Sequence, residues 1–248
     1  MAARPGVTEA LALLCRTSER SPLAVDAVRE LAAALGARLL GEPGEPRAGG
    51  WEEDLAAARG CLRTAARAVG AALDAGRRPL LIAGHCPVCL GTLPALAARR
   101  PEARVAWLDA HPDFNDPSTS PSGFLGGMCL AGACGVWDAG LDAPPLDPAR
   151  VHLVGARDVD PGEAELVRAA GVAHGMPDGG EVFVHLDLDV LSGDEHPAEF
   201  PAPGGLTWEG LRATLAELAA TCTVIGVEVT GPAPGHGPRI ADTLAPLL

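Results

Sequence analysis

Seven stretches of this chain are strand-length and mostly apolar, and segments of helical period separate most of them. The stretches are "EALALLCR" (9–16), "ARLLGE" (37–42), "RPLLIAG" (78–84), "ARVAWLDA" (103–110), "RVHLVGAR" (150–157), "EVFVHLDLDV" (181–190) and "CTVIGVEV" (222–229). Helices are predicted over 22–35, 51–75, 87–98 and 161–170, then from a cap at Thr207 to about Ala220, with a short one closing the chain. Residues 41–50, the Pro-rich stretch after Pro112 and its Gly-rich continuation, and a Pro/Gly stretch up to Gly205 read as loops. Near-continuous apolar strands alternating with helices imply a parallel sheet covered on both faces, an α/β fold. No repeat or linker interrupts the pattern, so residues 1–248 are expected to form a single domain. In such sheets the chemistry lies at the carboxyl ends of the strands. Four strands end in unusual polar groups: "GHC", "DAHPD", "DLD" and "EVT".

The formal net charge of −13 argues against a nucleic-acid or anionic-membrane surface. No uncharged apolar run is long enough to cross a membrane, and the N-terminus is no convincing export signal. The expected location is therefore the cytoplasm. Seven irregularly spaced Cys then read as reduced thiols, with Cys15, Cys61, Cys129, Cys134 and Cys222 acting as small buried hydrophobes.

"WLDAHPDFN" places Asp109, His111 and Asp113 at alternate positions, on one face if the chain is extended. "HLDLDV" repeats the device with Asp187 and Asp189. Carboxylates converging beyond the ends of buried strands repel one another unless a cation holds them. Four carboxylates and one imidazole suit hard or borderline divalent ions such as Mn²⁺, and bridging carboxylates can hold a pair of them. The competing reading is a structural acid cluster satisfied by helix caps and Arg partners.

With "PGGLTWEGL", the segments "DAHPDFNDPSTSPSG" and "HLDLDV" resemble the signature segments of the arginase/agmatinase (ureohydrolase) superfamily, in order and spacing from about Leu80 to Gly231. The resemblance implies a three-layer α/β/α fold with a mostly parallel, about eight-stranded sheet. It also implies hydrolysis of a guanidino carbon at two Mn²⁺ ions. On this resemblance Asp109 and Asp187 bridge both ions, Asp113 binds the first and assists catalysis, and His111 and Asp189 bind the second. "AGHCPVCLGTL" aligns with the family's Gly-Gly-Asp-His-Ser segment. Cys86 then falls at the metal-binding His, and Cys89 belongs to the following helix. A redox C-x-x-C is the weaker reading, and a Cys₄ zinc site lacks its second pair. A thiolate is softer than imidazole, so the first ion is expected to be held less tightly, and Cys86→His to raise Mn²⁺ occupancy.

The resemblance further places Asn115 and Ser122 where arginases hold the substrate's α-carboxylate, which favours an α-amino acid over agmatine. Phe124 stands for a polar residue of that group, and Gly126 for the proton-shuttling His. Glu228, in "GVEVTGP", is carried over as the guanidinium-binding and catalytic Glu, although another register leaves that position without a Glu. His85 reads equally as a support of the site or as a packed His. His152, His174, His196 and His236 read as surface or loop residues, and Trp107 and Phe114 as core.

The Cys, the missing His and the short chain are together similar to a specialised branch of the family that takes an N-hydroxylated arginine in antibiotic biosynthesis. The expected partner is a small guanidino substrate, with homo-oligomers common in the family. The alternatives are another ureohydrolase (agmatinase, guanidinobutyrase or formiminoglutamase), a single-zinc deacetylase on a related fold, or a non-catalytic binding member.

Overall fold

The computed structural model describes residues 6–248 except 48 and 141. Eight strands form one sheet: β1 (Thr8–Leu13), β2 (Arg38–Leu40), β3 (Arg78–Ile82), β4 (Arg104–Leu108), β5 (Val151–Val154), β6 (Ala173–His174), β7 (Glu181–Asp187) and β8 (Thr223–Thr230). Their order is β2-β1-β3-β8-β7-β4-β5-β6, and every pairing is parallel. The α/β expectation therefore holds.

The helices are α1 (Ala24–Leu35), α2 (Trp51–Asp74), α3 (Cys89–Ala97), α4 (Cys129–Ala133), α5 (Pro161–Ala170), α6 (Trp208–Thr221) and α7 (Gly237–Thr243). Alternation along the strands divides the core in two. Leu11, Leu81, Val105, Trp107 and Phe183 pack with residues of α2, α3, α4 and α5, while Ala12, Ile82, Leu108, Val184 and Val229 pack with those of α1, α6 and α7. The result is three layers. At Gly91 a Cβ would lie 2.3 Å from the Leu62 carbonyl oxygen, so only glycine lets α3 rest directly on the backbone of α2.

Local chemistry sets the helix ends. The Thr207 hydroxyl accepts the Gly210 amide at the start of α6, as expected of a cap. Asp160 and Glu163 form a capping box on α5, with Pro161 at its first position.

Several expectations are corrected. β7 stops at Asp187, because the Asp187 side chain accepts the Asp189 amide at 2.8 Å and turns 188–190 into a 3₁₀ turn. The helix expected from 87 opens as a 3₁₀ turn over Cys86–Val88. The sequence reading has neither α4 nor the two-residue β6. Cys15 and Cys61, expected as separate reduced thiols, are joined as a disulfide between the end of β1 and α2. Cys222 is half-buried rather than core. Among the described residues no helix is long and apolar enough to cross a membrane.

Candidate metal centre

β7 and β8 lie between β3 and β4, so the carboxyl ends of these four strands surround one crevice. A cavity of about 250 Å³ opens there. Cys86, Asp109, His111, Asp113, Asp187 and Asp189 all line it. They converge through turns, whereas strand alternation was expected. Asp109 Oδ1 accepts the His111 amide at 2.7 Å, and Asp189 Oδ1 accepts that of Ala110 at 3.0 Å. Asp113 has φ +52°, a left-handed conformation uncommon outside glycine. Its carbonyl oxygen accepts the Leu130 and Ala131 amides in α4, which ties the loop to that helix.

The polar atoms are close. His111 Nδ1 lies 2.9 Å from Asp189 Oδ2 and 3.4 Å from Asp109 Oδ1. Cys86 Sγ lies 2.8 Å from Asp187 Oδ2, 3.2 Å from Thr230 Oγ1 and 3.8 Å from Asp109 Oδ2. Thr230 Oγ1 donates to Asp187 Oδ2 at 3.0 Å, and Cys129 Sγ to Asp113 Oδ2 at 3.5 Å.

Burial, reinforced by the other carboxylates, pushes Asp109 and Asp187 up, Asp109 far above the ordinary range. Asp113 is likewise pushed far up by burial, although His111 pulls it down. Asp189 is the exception: burial opposes its charge, but the His111 hydrogen bond and charge lower it. Burial also opposes charge on His111, yet its bonds to Asp109 and Asp189 raise it to about 12. Burial and the Asp187 charge push the Cys86 thiol well up.

Among the described residues, His111 is the one basic side chain within ion-pair distance of any of these four carboxylates, and it reaches only Asp109 and Asp189. Buried carboxylates this poor in counter-charge fit a site for cations. Two trios have ligand atoms mutually within 4.8 Å: Cys86, Asp109 and His185, and Asp109, His111 and Asp189. Asp109 belongs to both.

Asn115 and Ser122 also line the cavity. Asn115 is buried, donates from Nδ2 to Asp160 Oδ2 at 3.1 Å, and keeps a buried Oδ1 without a partner. Ser122 is exposed, and its Oγ accepts the Phe124 amide.

Glu228 must be corrected. It is fully buried and does not line the cavity. Its Oε1 lies 2.8 Å from His185 Nδ1, and its Oε2 accepts the Thr92 hydroxyl at 2.6 Å. Gly231, three residues on, forms the wall instead. His196, expected on the surface or in a loop, is buried against the Gly231 carbonyl oxygen, 2.9 Å from its Nε2. His85 does support the pocket: it lines the cavity, with Nε2 3.0 Å from Glu199 Oε2 and Nδ1 3.3 Å from Ser18 Oγ.

The sequence reading missed Asp158, Asp160, Glu163, Glu199 and Phe200, all of which line the cavity. "RDVDPGE" (157–163) was a usable signal, since it joins an acidic strand end to a capping box with Pro at the first helical position. Glu199 sits in a loop without periodicity. Its carboxyl is held below the ordinary range by the His85 hydrogen bond. Phe124 and Phe200 pack 4.9 Å apart, each with its edge or face turned to His85, and form an aromatic wall.

The parallel α/β/α domain thus carries, at its switch point, a carboxylate-rich crevice whose residues fit a metal ion. The arginase-family sequence profile matches residues 46–178. The Nω-hydroxy-L-arginine amidinohydrolase of Streptomyces lavendulae is 34% identical over 252 aligned residues, covering 94% of this chain and 92% of that protein. The arginase of Bacillus caldovelox is 32% identical over 66% of this chain and 64% of its own length. The Entamoeba histolytica arginase crystallised with L-ornithine has the same fold, with a TM-score of 0.85 at 20% identity over 99% of both chains. The agmatine ureohydrolase of Thermoplasma volcanium superposes with a TM-score of 0.71 at 18% identity, covering 97% of this chain and 88% of that one. The chain belongs to the arginase family and is a hydrolase of the C–N bonds of linear amidines.

Proposed function

We propose that this protein is a dinuclear manganese amidinohydrolase that converts Nω-hydroxy-L-arginine to L-ornithine and hydroxyurea. The observation that carries the substrate is the 34% identity to the Streptomyces lavendulae enzyme, which extends over 92% of that enzyme. A place in antibiotic (D-cycloserine) biosynthesis goes with this substrate.

Cys86, Asp109, His111, Asp113, Asp187 and Asp189 would hold the two ions, which when bound supply a water acidic enough to be a nucleophile at neutral pH. Asp113, fixed by its left-handed backbone, takes the proton of the attacking water and passes it to the departing δ-amine of ornithine. The C–N bond to that amine breaks as water adds its oxygen to the guanidino carbon. Asn115, Asp160 and Ser122 line the cavity and would face the amino-acid end of the substrate. The Asp160 carboxylate offers an acceptor for the α-ammonium. Glu199 is a cavity carboxylate outside the metal set and offers an acceptor for the guanidino N–H groups in place of the buried Glu228. An N-hydroxyguanidine is less basic than a guanidine and enters such a site more often uncharged.

The test is ornithine release by the Mn²⁺-loaded protein, with Nω-hydroxy-L-arginine and L-arginine assayed in parallel. A strong preference for the hydroxylated substrate is expected. Equal or better turnover of arginine would make the protein an arginase with an altered ligand, and no ornithine from either would reject the reading.

A further inference from the structure

Trp107, His185 and Glu228 stand in register on β4, β7 and β8, one alternation below the residues that line the cavity floor. All three are fully buried, and the His185 and Trp107 rings are stacked at 3.5 Å and 3°. His185 Nδ1 faces Glu228 Oε1 at 2.8 Å; an Nδ1–H donating to that carboxylate leaves Nε2 as the nitrogen with a lone pair to offer. Nε2 has only a long contact, 3.4 Å to Thr230 Oγ1, whose hydroxyl donates to Asp187. Metal-bound histidines characteristically give their other N–H to a carboxylate in this way. The ligand atoms of Cys86, Asp109 and His185 are mutually within 4.8 Å. Two ligands on opposite sides of one ion, each at about 2.3 Å, would stand about 4.6 Å apart.

We infer that His185 is a ligand of the first metal ion together with Cys86 and Asp109, with Glu228 as the carboxylate that orients it. The inference rests on the two-metal reading above. It gives the first position an imidazole although residue 86 is Cys, and it accounts for a glutamate with no exposure inside the sheet. The two positions then differ in chemistry. With a sulfur ligand the first position holds Mn²⁺ less tightly than the second, where Asp109, His111 and Asp189 are harder ligands.

The test loads wild-type and variant protein with Co²⁺ and measures ions per chain, the thiolate-to-cobalt absorption band and X-ray absorption at the cobalt edge. Wild type is expected to bind two ions and to average one imidazole per cobalt. His185→Asn is expected to bind one ion and lose the thiolate band. Cys86→His in that background is expected to restore the second ion. Glu228→Gln should weaken the first site about 10- to 100-fold. A folded His185→Asn variant that keeps two ions and an unchanged thiolate band would overturn the inference and leave the two-metal reading intact. If that variant does not fold, the wild-type spectrum decides, since an average of half an imidazole per cobalt rejects His185 as a ligand. Wild type that binds no ion would instead overturn the two-metal reading, and the inference with it.

Discussion

Replacing Gly231 with alanine should remove the stabilisation of this protein by metal while costing the metal-free fold only modestly. Gly231 has φ +67°, and a Cβ there would lie 2.7 Å from Asp187 Oδ1. Gly235, with φ +84° and nothing within 4 Å of a Cβ, is the matched control. Each alanine in the left-handed region costs about 1–2 kcal/mol. At about 2–4 °C per kcal/mol for a chain of this size, both metal-free variants should melt about 2–8 °C below wild type. The difference lies in the response to Mn²⁺. To reach ordinary van der Waals contact the Asp187 oxygen must move by about 0.7 Å, well beyond the ~0.2 Å tolerance of a metal–ligand distance. Free metal at a hundredfold its dissociation constant stabilises by about 2.7 kcal/mol, which is about 5–11 °C here. Thermal melting with and without Mn²⁺ should show that increment in wild type and Gly235→Ala but not in Gly231→Ala. If Gly231→Ala gains the full increment, the placement of Asp187 at the metal is wrong.

Three further outcomes follow from the same geometry. Cys86→His should raise the manganese content of the first position, because imidazole is the harder ligand; equal or lower content by elemental analysis would count against the assignment of that position. Thr92→Val removes the hydroxyl that donates a hydrogen bond to Glu228 and should cost about 1–3 kcal/mol in urea denaturation, whereas Thr92→Ser should cost much less. Burial raises the Glu163 carboxyl to about 7, although the Phe114 and Asp160 amides pull it down, against an ordinary value near 4.5. Between these values the folded chain holds more proton than the unfolded one, so this group's contribution to stability falls as pH rises. Glu163→Gln preserves the capping box and should flatten the melting profile between about pH 5 and 7; an unchanged slope would show that Glu163 is not the source.

What was legible in the sequence was what is local and repetitive. Unbroken apolar runs gave away the parallel sheet, because both faces of "RPLLI" and "RVAWL" are covered. The paired Asp/His motifs were legible because carboxylates at the ends of such strands have few uses. Interactions between distant residues were not. Whether Glu228 faces the cavity depends on which way β8 presents its alternate residues beside β7, and its partners Thr92 and His185 are far away in sequence. The Cys15–Cys61 disulfide depends in the same way on α2 crossing the end of β1. β7 ran long in the sequence reading because "DLDV" is apolar enough to extend, while a side-chain hydrogen bond to its own backbone bends it. Glu199 had no signal, since its loop has no period and is held from outside by His85.

The position of β8 has a consequence for how the molecule is made. β7 and β8 come last in sequence among the described strands, yet they go into the middle of the sheet, between β3 and β4. At about 4.8 Å per strand, the finished protein keeps β3 and β4 about 14 Å apart. An emerging chain that ends before residue 181 holds these consecutive strands with nothing yet to separate them, and consecutive strands commonly pair. That early pairing would have to open before the last strands could enter. Cys86 and Asp109, on opposite flanks of the gap, face each other correctly only once residues 181–230 have filled it. On the two-metal reading the ions can be held only once residues 181–230 are in place, so a chain that ends before residue 181 should bind none.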